Sequence, residues 1–441
     1  MITKNIRIGS GTQVAHGSLL NYGIATIVAI LLASAPVAQA FTSGSTGADG
    51  ALDFTGAQAG TVIEFDPTTF IPPLDADKDG IYHFTTVTIP TDVTIRFRAD
   101  KAGFAPIHWL ATGPVVINGT LDLNGEVGHD SSGTGLRVPS IPGPGGFWGG
   151  VGRRDESNTQ STNGFGPGAG CRNPIQHTDN HGGSAGYATG GSGSESQTGC
   201  NPDNLIYGNI FLLPLIGGSG GAGGNGSNIS SGGGAGGGAI MIASSVAISV
   251  GGKILANGGD SGVHLVGYDE AGGGSGGAIR LIAPTVSGDG VLSAVGGNAY
   301  YGRGGHGRLR IEATQQKFTG SIKGNYRVAS LQAAPILLPT GYTRGIHVVS
   351  VNGVTAPSMP RGRIDHVDVT INTPFTVPVV LEGRGIPLGT TVAVTVVHET
   401  EGAFVVQSPP LSGTQDSSTA TINVTFLSGF SHIFTHAKWG P

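Results

Sequence analysis

The 441-residue sequence carries 80 Gly and 25 Pro but only 12% charged residues, with a formal net charge of −5 at pH 7. That length exceeds what one core usually serves and the glycine content is far from ordinary globular usage, so two domains are expected, one of them repetitive. No basic cluster is longer than "GRRD" at 152–155, which sets nucleic acid aside as a partner.

In chain order, residues 1–40 read as a secretory signal peptide: Lys4 and Arg7 precede the apolar run "GIATIVAILLASA", and "VAQA" ends at Ala40 in a small-x-small cleavage pattern. The apolar run is 13 residues long, short of the roughly 20 a bilayer span requires, so no membrane span is expected after cleavage. Without this segment, 21 Lys+Arg stand against 28 Asp+Glu, a net charge of −7. The expected location is secreted, extracellular or at the cell surface.

"TVIEF", "YHFTTVTIP" and "VTIRF", between residues 61 and 97, alternate as strands do. Among them "DADKDG" at 75–80 sets Asp75, Asp77 and Asp79 at alternate positions before a glycine, as calcium loops do. The twelfth position is Thr86 where an EF-hand needs a bidentate Glu, and a strand follows in place of a helix. The segment is read as an acidic turn, with calcium held by these three residues as the alternative; no other cofactor is indicated.

Four later segments share one pattern: "IHWLATGPVVINGTLDLNGE" from Ile107, "IMIASSVAISVGGKILANGGD" from Ile240, "IRLIAPTVSGDGVLSAVGGN" from Ile279 and "LRIEATQQKFTGSIKGN" from Leu309. Each opens on an apolar-any-apolar triplet and has an "NG", "GG" or "GN" pair at its end, so each supplies strands ended by turns that need positive φ. Units of about 20 residues cannot bury their own apolar faces and are expected to stack. The arrangement resembles the right-handed parallel β-helix of the pectate-lyase type. The fold expected for 41–334 is therefore all-β, a right-handed parallel β-helix-like solenoid with glycine-rich loops. Its inward residues would be Ile107, Trp109, Ile240, Ile242, Ile279, Leu281, Leu309 and Ile311.

Period two then sends His108, Met241, Arg280 and Arg310 outward in a column, with Glu312 two positions beyond Arg310. His108, Arg280, Arg310 and Glu312 are the candidate binding residues, placed where a solenoid would grip extracellular polysaccharide or other cell-surface material. The plainer reading is a solvated face. A glycosidase needs two facing carboxylates; Asp122 and Glu126 come from one unit with no partner on a neighbour, and no catalytic residue is assigned.

Unit starts are 39 residues apart from Ile240 to Ile279 but 30 from Ile279 to Leu309, the surplus lying in glycine runs. The run at 217–238 has 13 Gly in 22 residues. Such runs either link flexibly or pack as polyglycine helices, and their recurrence at one place in each unit favours packing. The longest excursion, 127–237, contains both cysteines and an apolar cluster at 206–216 that suggests docking on the stack. An oxidising compartment allows Cys171 and Cys200 to form a disulfide, with free or metal-binding thiols as the alternative. "GGDSGV" at 258–263 contains a serine-protease tetrapeptide, but no histidine motif accompanies it, so a protease is dismissed.

From about Pro335 the glycines thin. "IHVVSVNGV", "HVDVTI", "FTVPVVLEGRGI", "TTVAVTVVHE", "AFVVQSPPL", "STATINVTFL" and "FSHIFTHAKW" follow as alternating segments, which read as an immunoglobulin-like β-sandwich over 335–441. "YHFTTVTIP", "LLPLIGGSGG" and "GGAIRLIAP" together resemble exported glycine-rich bacterial proteins that couple β-helix-like repeats to a carboxy-terminal immunoglobulin-like domain. That group has no assigned activity, so the resemblance implies location and architecture. The function expected is a non-enzymatic secreted or cell-surface structural, adhesin-like protein with a glycan-binding face; the alternative is a polysaccharide lyase or glycoside hydrolase on the same scaffold.

Overall fold

The structure, a computed structural model, describes residues 41–75, 80–130, 137–153, 161–172, 181–192, 206–225, 230–263, 271–300, 302–332, 335, 337–338, 345–357, 360–362, 367–372, 376–399 and 402–437. The proposed signal segment, 1–40, lies outside the described residues. The chain is all-β with parallel sheets, and among the described residues the one α-helix is the single turn Ala99–Ala102. Among the described residues no helix is long and apolar enough to cross a membrane, which says nothing of a β-barrel.

The strands of the first part are β1 (Gly50–Asp53), β2 (Val62–Glu64), β3 (Ile81–Ile89), β4 (Thr94–Arg96), β5 (Ile107–Ala111), β6 (Val115–Ile117), β7 (Thr120–Asp122), β8 (Ala239–Ser244), β9 (Ala247–Val250), β10 (Lys253–Leu255), β11 (Ala278–Gly288) and β12 (Val291–Ser293). A two-rung hairpin, β13 (Asn298–Ala299) and β14 (Gly302–Arg303), precedes β15 (Arg308–Phe318), β16 (Ser321–Lys323) and β17 (Asn325–Ala329). The chain passes alternately between two parallel sheets. The first contains β1, β3, β5, β6, β8, β9, β11, β15 and β17; the second runs β16-β12-β10-β7-β4-β2.

Register, more than strand content, carries the expected stacking. Ile107 pairs with Ile240, Ile240 with Ile279 and Ile279 with Leu309; Trp109, Ile242, Leu281 and Ile311 form a second ladder. All eight side chains are buried in one core, which the second sheet closes with Ile95, Leu121, Ile254 and Leu292. Alternation puts every second residue into that core because successive side chains in a strand point to opposite faces. Phe65, Phe97 and Trp109 form an aromatic cluster at its first end, with ring centroids 4.8 to 5.9 Å apart.

The described residues of the glycine runs are tied together by backbone hydrogen bonds. Gly218, Gly221 and Gly224 donate their N–H groups to the carbonyls of Gly237, Gly234 and Ser231 at 2.8, 2.9 and 3.0 Å. Their own carbonyls accept from Phe147, Gly150 and Arg153 at 3.0, 2.8 and 3.1 Å. Gly220 and Gly223 turn to Phe165 and Thr162, and Ala222 donates to Gly183 while accepting from Gly272. A partner that recurs every third residue is the period of a polyproline-II-like helix, which makes no internal hydrogen bonds and must find them sideways. Most positions in these runs admit no side chain: a Cβ on Gly221 would fall on the Gly272 carbonyl oxygen, and one on Gly234 on that of Gly259. Excursion and inter-strand glycine runs thus form one layer in which buried backbone groups satisfy one another.

The remaining strands are β18 (Gly345–Val351), β19 (Val354–Thr355), β20 (Thr376–Arg384), β21 (Val392–His398), β22 (Gly402–Gln407), β23 (Ser412–Gly413), β24 (Ser418–Thr425) and β25 (Ser431–Ala437). They form two antiparallel sheets, β19-β18-β20-β24-β23 and β22-β21-β25, around a separate core that includes Val379, Leu381, Val392, Val394, Ile422 and Val424. The described part of the expected strand "HVDVTI" is irregular instead. Its Asp368 carboxylate accepts the backbone N–H groups of Arg361 and Gly362, both at 2.8 Å, a local bonding pattern that competes with a ladder. An aromatic joint ties this part to the glycine layer: Phe165 stacks on Phe434 at 4.1 Å, and Trp148 meets His432 and Phe434 edge-on at 5.8 and 5.6 Å.

Candidate functional site

The predicted binding residues do line up. His108 pairs with Met241, Met241 with Arg280, and Arg280 with Arg310 across successive parallel strands. They do not face solvent, however: His108, Arg280 and Glu312 are 1%, 2% and 2% exposed. The excursion covers them. Leu212 and Leu215 of the 206–216 cluster pack with Leu110, Met241 and Ile282, joined by Tyr187 and by Phe41 at the start of the described chain. His108, Arg280 and Glu312 are therefore not open to a glycan, because a second apolar layer roofs the outer face of the sheet, while Arg310 is part-buried at its rim.

Under that roof the charges are consumed by one another. Glu312 Oε1 accepts from Arg280 Nε at 2.8 Å and from Arg310 Nε at 2.9 Å. Arg310 Nη1 also donates to the Ile210 carbonyl, and its guanidinium lies 5.3 Å from the Phe211 ring centroid. Burial lowers Arg280 from its ordinary pKa, opposed by the Glu312 carboxylate. Burial likewise brings His108 down to about 4, with the Arg280 charge adding to the effect and backbone hydrogen bonds opposing it, so the imidazole is neutral at pH 7. Beside them Arg308 Nη2 donates to the Tyr207 carbonyl at 2.8 Å. Tyr187 and Tyr207, stacked at 4.4 Å, are pushed up by burial and donate their hydroxyls to the Ile216 and Gly217 carbonyls. These bonds fasten the roof.

The polar face that remains open lies on the second sheet and was missed. Glu64, Arg96 and Asp122 are register partners on β2, β4 and β7. Arg96 Nη1 lies 3.4 Å from Glu64 Oε1, and Arg96 Nε 3.5 Å from Asp122 Oδ2. Two residues on, Arg98 Nε reaches Asp100 Oδ1 at 3.0 Å and Arg98 Nη1 reaches Glu126 Oε1 at 3.8 Å; Glu126 Oε2 is 3.8 Å from His129 Nε2. The row continues through Asn124, whose Oδ1 accepts the Asn257 N–H, to Asn257, whose Oδ1 accepts from Ser293 Oγ. The available signal was the i, i+2, i+4 spacing of polar residues in "IRFRAD" and "LDLNGE". Chemically the row offers guanidiniums, carboxylates and amides at strand spacing, each with its neighbour fixed.

Of the acidic turn, Asp75 is buried; its backbone N–H donates to Asp49 Oδ1 at 3.0 Å and its Oδ2 accepts the Gly80 N–H at 3.1 Å. Asp77 and Asp79 lie outside the described residues. Among the described residues no group of three or more His, Cys, Asp or Glu is placed to hold a metal ion. Cys171 is disulfide-bonded; Cys200 lies outside the described residues. In "GGDSGV" the Ser261 N–H donates to the Asn298 carbonyl and the Asp260 carboxylate accepts the Asn298 N–H, so the tetrapeptide belongs to the glycine layer. No family model, curated protein or solved structure matches this chain.

Proposed function

We propose that the chain is a secreted or cell-surface structural module, adhesin-like and non-enzymatic, with residues 1–40 as its signal peptide and Cys171 bonded to Cys200. On this reading 41–334 is a right-handed parallel β-helix-like solenoid and 335–441 an immunoglobulin-like sandwich. The observation that carries a binding role is the open row in which Arg96 and Asp122 pair across neighbouring strands of the second sheet, continued just past the strand ends by Arg98, Asn124 and Glu126. Repeating polar groups about 4.8 Å apart suit an extended polymer of hydroxylated, partly acidic sugar rings, which the guanidiniums would hold and the carboxylates orient. A glycan array probed with the protein tests this. Binding of acidic or neutral glycans, weakened about tenfold or more by Arg96→Ala with Arg98→Ala, is the expected result; silence across the array overturns it.

A second reading, polysaccharide cleavage, draws on Glu126 standing 3.8 Å from both Arg98 and His129. It predicts release of reducing ends or of an absorbing unsaturated product from the bound glycan, abolished in Glu126→Gln. Binding without product separates the two readings.

A further inference from the structure

Among the described residues the stack begins and ends on open strand edges: β1 and β2 pair on one side only, and so do β16, β17 and the second half of β15. At the far end Tyr326 and Val328 continue the inward ladders of Leu309 and Ile311, yet they are 51% and 47% exposed. Val62 and Ile71 at the near end are 48% and 99% exposed. An uncovered edge with apolar positions is a template for another strand, and repeat arrays ordinarily close such ends with a polar cap.

The two ends carry opposite charge. Residues 41–75 include Asp49, Asp53, Glu64, Asp66 and Asp75 with no Lys or Arg; residues 302–332 include Arg303, Arg308, Arg310, Lys317, Lys323 and Arg327. The one acid in that second stretch, Glu312, is buried between Arg280 and Arg310.

Register makes the complementarity specific. One ladder reads Asp53, Thr88, Val116, Ser249, Ser287, Lys317. The ladder on the opposite sheet reads Glu64, Arg96, Asp122, Leu255, Ser293, Lys323. Each begins with an exposed carboxylate and ends with an exposed lysine. The steps match as well: β17 opens a pass that lacks its second half and its second-sheet strand, whereas β1 and β2 supply those parts of a pass.

We infer that copies of this chain associate head to tail, the end of one stack seating on the beginning of the next. Lys317 then meets Asp53 of the next copy, Lys323 meets its Glu64, and Tyr326 and Val328 are covered. The contact is heterologous and lies along the direction in which the strands stack, so it extends the stack as a filament and does not close as a two-fold dimer. Pairing of like ends is opposed, since it would bring Lys317, Lys323 and Arg327 against their own copies. The inference goes beyond the structural-module reading and stands whether or not the protein binds glycans.

Sedimentation velocity on the full chain over a concentration series, at low and high salt, tests it. Expected is a mass that rises past the dimer at low salt and falls back toward monomer as salt screens the ends. The variants Lys317→Glu with Lys323→Glu, and Asp53→Lys with Glu64→Lys, should each associate at least about tenfold more weakly. Mixed one to one, they should associate again, because each supplies the charge the other has lost. A wild-type protein monomeric under every condition overturns the inference. So does association unchanged in both variants, or no recovery on mixing although both keep the wild-type circular dichroism and melting temperature.

Discussion

Glu312 holds two guanidiniums with one oxygen, Oε1, in a largely buried site. Breaking a buried ion pair from one side costs more than the pair contributes, because a charge is left uncompensated. Glu312→Gln should therefore lower the unfolding free energy by about 3–5 kcal/mol in a urea titration, whereas Arg96→Ala on the open row should cost only about 0–1 kcal/mol. The buried histidines set the pH response. Burial lowers His108 from 6.5 to about 4, and His432 likewise, the latter opposed by its hydrogen bond to the Gly362 carbonyl and by Asp368 and deepened by His129. Between those pH values the unfolded chain takes up protons that the folded chain does not, so stability is greatest above pH 6.5 and declines toward pH 4. The decline is on the order of 3 kcal/mol per histidine; a melting temperature unchanged from pH 7 to pH 4 contradicts it.

At the level of elements, the ladders through Ile240, Ile279 and Leu309 were legible because period-two alternation and a recurring apolar triplet fix which residues face inward, whatever lies between them. The outward residues were legible in position but not in environment. No local pattern in "IRLIAP" announces that a segment ending at Leu215, more than 60 residues earlier in the chain, lies over it. The open row was not legible for a different reason: Arg96 and Asp122 end strands of only three residues, Arg98 and Glu126 lie just beyond those strands, and only the pairing of β4 with β7 brings them together. The glycine layer was legible as packing, since flexible linkers have no cause to recur at one place in each unit. Its test is Gly221→Ala, whose Cβ has no room beside the Gly272 carbonyl. The substitution should destabilise by about 1–3 kcal/mol or more, although Ala at a tolerant backbone site stabilises.

Across the whole molecule, two cores of different construction are linked through Trp148, Phe165, His432 and Phe434. Calorimetry on Trp148→Ala should resolve two transitions where the intact joint gives one, since removing a large ring from a small contact weakens coupling more than it weakens either core. A single transition of unchanged shape in that variant would mean that the cores are coupled elsewhere.

The glycine layer has one more consequence, for digestion. A protease must draw several residues of extended chain into its cleft, and composition alone would make the runs at 217–224 and 271–277 the first places cut. Their amides and carbonyls are already engaged on several sides, so an elastase of broad preference should nick them last, after the sandwich loops. The most glycine-laden stretches of the chain would then be what survives overnight digestion.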